Sequence, residues 1–168
     1  LIALLQRENP YWHRTATRLL VERKDKTALP KLAKLFDNAK DATHALRALW
    51  TLHGLGAFSA DLGKKALDHK DPWVRSWGVR FLGEGGKLAD GIEDLLVTMA
   101  KSDPAPQVRL QLASTCQDLR KANPLPIIQQ LLKHAGDKKD VYLPLMIWLA
   151  YEPHVVGKRN PVLDWLKD

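Results

Sequence analysis

Cysteine is almost missing from this chain. Cys116 stands alone among 168 residues. A single cysteine excludes an intramolecular disulfide, a multi-cysteine zinc or iron–sulfur site, and covalent haem attachment through Cys-x-x-Cys-His within the segment. It fits cytosol and periplasm equally, so the compartment stays open. Long apolar runs are missing too: the longest is Leu145 to Tyr151, whereas a membrane-spanning helix needs about 20 apolar residues. No membrane span is expected. The six histidines (His13, His44, His53, His69, His134 and His154) contain no pair at i, i+4, and no His, Asp or Glu cluster has metal-ligand spacing. Gly83 to Gly86 follows no strand-like stretch and precedes no Gly-Lys-Ser/Thr, so a flexible turn explains it better than a phosphate loop. Catalytic residues, cofactor sites and metal ligands are therefore not predicted.

What is present is a balance suited to a packed core, with 45% apolar and 27% charged residues. The chain opens on Leu1-Ile2-Ala3-Leu4-Leu5, with no basic leader and no small-residue cleavage site, so it does not read as a signal peptide. It reads instead as the second half of an amphipathic helix. At the other end Val162, Leu163, Trp165 and Leu166 predict another such helix. Neither end has the polar outer face that a capping repeat needs. The expectation is a piece of a longer chain, with further helices or another domain over both ends, which in isolation pair with another copy. Net charge is +7, and residues 1–53 hold 10 Lys and Arg against 5 Asp and Glu, while the other 115 residues hold 16 against 14. A basic patch attracts nucleic acid or anionic lipid. A solvated helical surface accounts for the same residues.

An internal repeat organises the chain. Asn9, Asp41, Asp71, Asp103 and Asp140 each begin a run into an apolar helix, at steps of 32, 30, 32 and 37 residues. Asn or Asp at an N-cap accepts a hydrogen bond from a free N–H of the first turn, and proline suits the position after it. Apolar residues then recur at helical spacing, as in Val74, Gly78, Phe81 and Leu82. A small residue in the middle (Ala16, Ala48 or Gly78) permits close approach of a neighbouring helix. Between these lies a second set of helices, at 29–37, 62–69, 92–101 and 127–134. No stretch alternates like a strand. The fold class expected is all-α: an α-α superhelix, a solenoid of about five antiparallel helix pairs. Its approximate repeats are 1–24, 25–55, 56–86, 87–121 and 122–154, with a final half-repeat at 155–168.

Asp71-Pro72-Trp73-Val74-Arg75 resembles the Asp-Pro-x-Val-Arg signature of HEAT repeats, and Asp103 to Arg109 matches it with two extra residues. The copies at Asn9 and Asp41 carry His13 and Ala45 where the arginine belongs, and Asp140 lacks the whole tail. The period is shorter than the roughly 40–47 residues of long HEAT repeats and is similar to short bacterial HEAT-like units. Residues 11–23, 45–56 and 142–153 together resemble the HEAT-repeat region of large exported proteins of planctomycetes and related bacteria. There the repeats join a membrane-bound dehydrogenase-like domain to a c-type cytochrome domain. The resemblance implies a periplasmic or exported setting. Neither catalytic part lies in this sequence.

The same resemblance implies that Arg75 and Arg109 reach an aspartate of an adjacent repeat, giving a structural ladder of Asp71, Arg75, Asp103 and Arg109; bidentate Arg–carboxylate pairing suits that job. Of the six tryptophans, Trp12 and Trp148 read as core, whereas Trp50, Trp73 and Trp77 are harder to bury. In the aspartate register Arg18, Trp50 and Arg80 share one position, and Arg47 and Trp77 share another three residues earlier. The two rows form an Arg/Trp stripe, since residues three apart lie on one helix face. Such a surface suits a protein hot spot or base stacking; equally, the arginines could simply cover the tryptophans. Cys116 falls where Leu20 and Leu82 fall, as a small buried hydrophobe.

Two functions fit. One is a non-enzymatic scaffold that binds a protein partner or neighbouring domains of its own chain. The other is a nucleic-acid module of the bacterial alkylpurine DNA glycosylase type, which the +7 charge and the stripe allow. Against the second, the charge surplus is confined to residues 1–53, and no carboxylate lies beside the tryptophans on the inner helices.

Overall fold

The computed structural model describes residues 1–155; the half-repeat expected beyond, with Val162, Leu163, Trp165 and Leu166, lies outside the described residues. Those described form nine α-helices and three short 3-10 helices, with no strand among them. The helices are α1 (Pro10–Glu22), α2 (Leu29–Asp37), α3 (Ala42–Gly54), α4 (Ala60–Leu67), α5 (Pro72–Gly83), α6 (Ile92–Ser102), α7 (Pro106–Asp118), α8 (Leu125–Leu132) and α9 (Leu143–Val155). The chain divides into two compact units, Leu1–Phe81 and Leu82–Asp168, with the boundary in the last turn of α5.

All five anchors act on a backbone N–H. The side chain of Asn9 accepts from Tyr11 N, Asp41 from His44 N and Asp71 from Trp73 N, each at 2.9 Å. Asp140 accepts from Tyr142 N and Leu143 N, at 2.8 and 2.9 Å. Asp103 accepts from Ala105 N at 3.0 Å, but α7 starts later, with Pro106 in its first turn. The two extra residues therefore lengthen the turn and leave the helix intact. The opening segment differs from expectation: Ile2–Gln6 is a 3-10 helix, not an α-helix. Five residues are too few to repay α-helix nucleation, and i to i+3 bonds such as Leu4 N to Leu1 O at 2.9 Å suffice to bury Leu5 completely.

In unit 1 the 3-10 helix, α1 and α2 enclose Leu5, Ala16, Leu20, Ala28, Leu32 and Leu52. A second cluster joins Phe36 of α2, Ala45, Ala48 and Leu49 of α3, Ala66 of α4, and Val74 and Phe81 of α5. Side by side, α1, α3 and α5 make one layer, with α1 against α3 and α3 against α5 through aromatic rings. Behind them stand α2 and α4. The small central residues do what their size allows. Ala16 and Ala48 are fully buried, and a Cβ on Gly78 would stand 3.0 Å from that of Ala66 in α4. Unit 2 repeats the scheme, with α6 packed on α8 and α7 on α9. Its buried side chains include Leu96, Leu112, Ile127, Ile128 and Ile147.

Candidate interaction face

The stripe residues all lie in unit 1, and the structure sorts them into two kinds. Arg18, Trp50 and Arg80 are exposed, and Trp77 is half-buried. Arg47 is not part of the surface. Its side chain turns inward at 9% exposure and donates from Nη1 to the carbonyls of Leu5 (3.0 Å) and Arg7 (2.9 Å). Those carbonyls lie at the end of the 3-10 helix, where backbone acceptors lack intrahelical partners, so a long cation fills a structural need there.

Trp50 is held from below. Its ring meets Trp77 edge to face at 5.3 Å, and Trp77 leans on Phe81 at 5.2 Å. Phe81 stacks on His53 at 3.8 Å and 7°, and Phe58 packs edge-on to both. An exposed ring is thus mounted on a half-buried aromatic stack that includes buried Phe81, which removes much of its rotamer freedom before any partner arrives. Arg80 lies over the Trp77 ring, 5.0 Å from its centroid, within cation–π range.

Two residues outside the predicted set belong to the same face. Tyr11 and Trp73 sit two positions after their anchors, and they are 64% and 57% exposed. On α5, Trp73, Trp77 and Arg80 are spaced i, i+4, i+7, which puts them in one row. The signal was legible as an aromatic recurring at one repeat position. Trp12, expected in the core, is instead 46% exposed with its edge against Tyr11 at 5.1 Å. Val74, at the same repeat position, is fully buried; an indole is far larger than an isopropyl group, and overpacking a helix interface is costly.

Trp148 also departs from its expected burial, at 49% exposure. Because α9 is apolar around its whole circumference, its neighbours can cover only one side. They bury Leu143, Ile147, Ala150 and Tyr151, and leave Leu145, Trp148 and Leu149 outside. A cavity of about 420 Å³ opens between α8 and α9, and Tyr151, which borders it, has a buried hydroxyl without a hydrogen-bond partner among the described residues.

The ladder residues divide as well. Arg75 donates from Nη1 to the carbonyls of His69 and Lys70, both at 3.0 Å, and so braces the turn before α5. Arg109 donates to Asp103 O at 2.7 Å and forms a two-pronged pair with Asp137, Nε to Oδ2 at 2.6 Å and Nη2 to Oδ1 at 2.5 Å. Both side chains of that pair are more than nine-tenths buried. The carboxylate reached belongs to the next expected repeat, but it is Asp137 of the turn and not the anchor Asp140, whose side chain is occupied as a cap.

Burial pushes the Cys116 thiol up to about 12, which leaves it an unreactive core residue. His13 is held below the ordinary imidazole range by burial first, then by Arg47 and Arg14. Among the described residues no three His, Cys, Asp or Glu side chains are grouped to hold a metal ion, and no helix is long and apolar enough to cross a membrane. Comparison with protein-family models, curated proteins and solved structures finds no match to this chain.

Proposed function

We propose that the chain is a non-catalytic scaffold of the HEAT-repeat kind, a solenoid whose α1, α3 and α5 layer binds a protein partner. The observation that carries this reading is the exposed aromatic row braced from beneath, with arginines at its edges. Rigid Trp and Arg groups of this type supply most of the energy in protein interfaces. In a longer protein of the kind the sequence resembles, the layer would bind neighbouring domains, holding a dehydrogenase-like part and a cytochrome part at a set separation. Regular anchors, small central residues and side-by-side packing of alternate helices within each unit support the repeat reading.

Oxidative footprinting of tryptophan tests it. In a longer chain that includes the neighbouring domains, Trp50 and Trp73 are expected to be protected relative to this segment alone. The paired variant Trp50→Ala, Arg80→Ala should release those domains with its helical content unchanged. Equal labelling in both contexts would overturn the proposal. The excess charge of unit 1 favours a second reading, nucleic-acid binding, for which DNA affinity would fall steeply between two salt concentrations.

A further inference from the structure

The geometry points to an acidic protein segment as the occupant of the α1, α3 and α5 face: an amphipathic stretch whose apolar side chains cover Trp50 and Trp73 and whose carboxylates reach Arg18 and Arg80. This rests on the scaffold reading above and names the chemistry of its partner.

Charge complementarity favours an acidic partner. Unit 1 carries 15 Lys and Arg against 8 Asp and Glu, so the whole +7 of the chain resides there, while residues 82–168 hold 11 of each. On the face itself the cations are arginines, whose planar forks match carboxylates. Three acidic groups of the same layer are already engaged: Asp41 and Asp71 cap their helices, and Glu22 holds Arg18 in an exposed contact of 3.7 Å. An exposed pair of that length contributes little and is readily exchanged for a better-placed carboxylate.

The geometry of the rings and the placement of the cations favour protein over nucleic acid. A base needs an open ring face for stacking. Trp77 has Arg80 over one face, and Trp50 is fixed edge to face against it. A duplex also needs cations spread along its backbone. Half of the eight lysines of unit 1 stand in the other layer, Lys31 and Lys34 on α2 and Lys64 and Lys65 on α4. A short row with aromatic rings in the middle and guanidinium groups at the ends fits a helix or strand of a partner, with one apolar stripe and flanking Asp or Glu.

The experiment uses three fluorescent peptides of about 16 residues that share one apolar helical face. They differ in net charge, roughly −4, 0 and +4, and a duplex of about 20 base pairs is the fourth probe. Anisotropy titrations with the full chain are expected to rank the acidic peptide about tenfold or more above the neutral one. Trp50→Ala should weaken both, and Arg18→Glu with Arg80→Glu should reverse the charge ranking. That reversal is a gain of binding to the basic peptide, which an unfolded variant could not produce. If the neutral and acidic peptides bind alike and both depend on Trp50, the acidic partner is wrong while the interaction face stands. Tightest binding to the duplex with a steep salt slope, or no peptide binding sensitive to Trp50, would overturn both.

Discussion

Arg75 in unit 1 and Arg109 in unit 2 follow a turn aspartate by four and six residues, and each sends Nη1 back to the carbonyl six residues earlier, His69 or Asp103. Arg109 spends its remaining donors on buried Asp137, and the exposed cations of the chain concentrate in the unit of Arg75. Unit 2 is neutral in sum and shows an apolar α9 to solvent, whereas unit 1 is basic and shows aromatic rings between arginines. One packing code therefore carries two unlike surfaces. Caps and small central residues fix how a helix pair closes, and positions that neither cap nor pack are left to diverge.

The comparison breaks hardest at Asp137. Asp137→Ala would leave the Arg109 guanidinium buried without its carboxylate, a loss of about 3–5 kcal/mol. Because Cys116 is the only thiol and lies buried in unit 2, its reaction rate with a thiol reagent reports that unit's opening. The rate should rise sharply in the variant. An unchanged rate would show that the pair does not hold unit 2 together.

Arg47→Ala is the corresponding lesion in unit 1. Two carbonyls, of Leu5 and Arg7, lose a charged donor, at about 2–3 kcal/mol. Amide exchange should quicken in residues 2–7 before it does in α4. If the Ile2–Gln6 segment exchanges at its original rate, Arg47 is not what ties it to α3. Arg75→Ala comes next, at roughly 1–2 kcal/mol, since the carbonyls it braces lie in a partly exposed turn. A variant with the wild-type melting temperature would remove Arg75 from the structural set.

Much of the fold could be read from residues alone, for a local reason. A cap acts two or three positions away in sequence, so Asn9, Asp41, Asp71 and Asp140 announced their helices, and the second helical set fell within about two residues of its expected bounds. Contacts set by distant partners were less legible. Nothing near Arg47 in sequence says that carbonyls some 40 residues earlier need a donor. The repeat register placed Trp12 over the Val74 position but could not weigh an indole against the slot. The exposure of Trp148 is not legible in sequence, because an all-apolar helix gives no sign of which side its neighbours cover. On the face, Tyr11 and Trp73 share one register position, two residues after their anchors, so that part of the row is legible from local sequence.

The gentlest probe is acid. Asp41 in unit 1 is held below the ordinary aspartate value of 3.8, first by the His44 ring, at 2.6 Å, and then by the His44 N–H. Asp140 in unit 2 is lowered by the N–H groups of Leu143 and Tyr142. A carboxyl depressed in the folded state contributes stability that is fully present above its unfolded value and is lost as pH falls through the folded one. Both units should therefore lose stability below about pH 4, and neither through this cause at neutral pH. Asparagine separates the charge from the cap, because it accepts the same N–H but does not ionise. Asp41→Asn should keep α3 formed at neutral pH and flatten the acid limb read by unit 1 tryptophan fluorescence. Asp140→Asn should flatten the limb read at Cys116 by less, since no ring partner is lost there. Equal acid limbs in wild type and both variants would mean that these anchors act only as neutral acceptors.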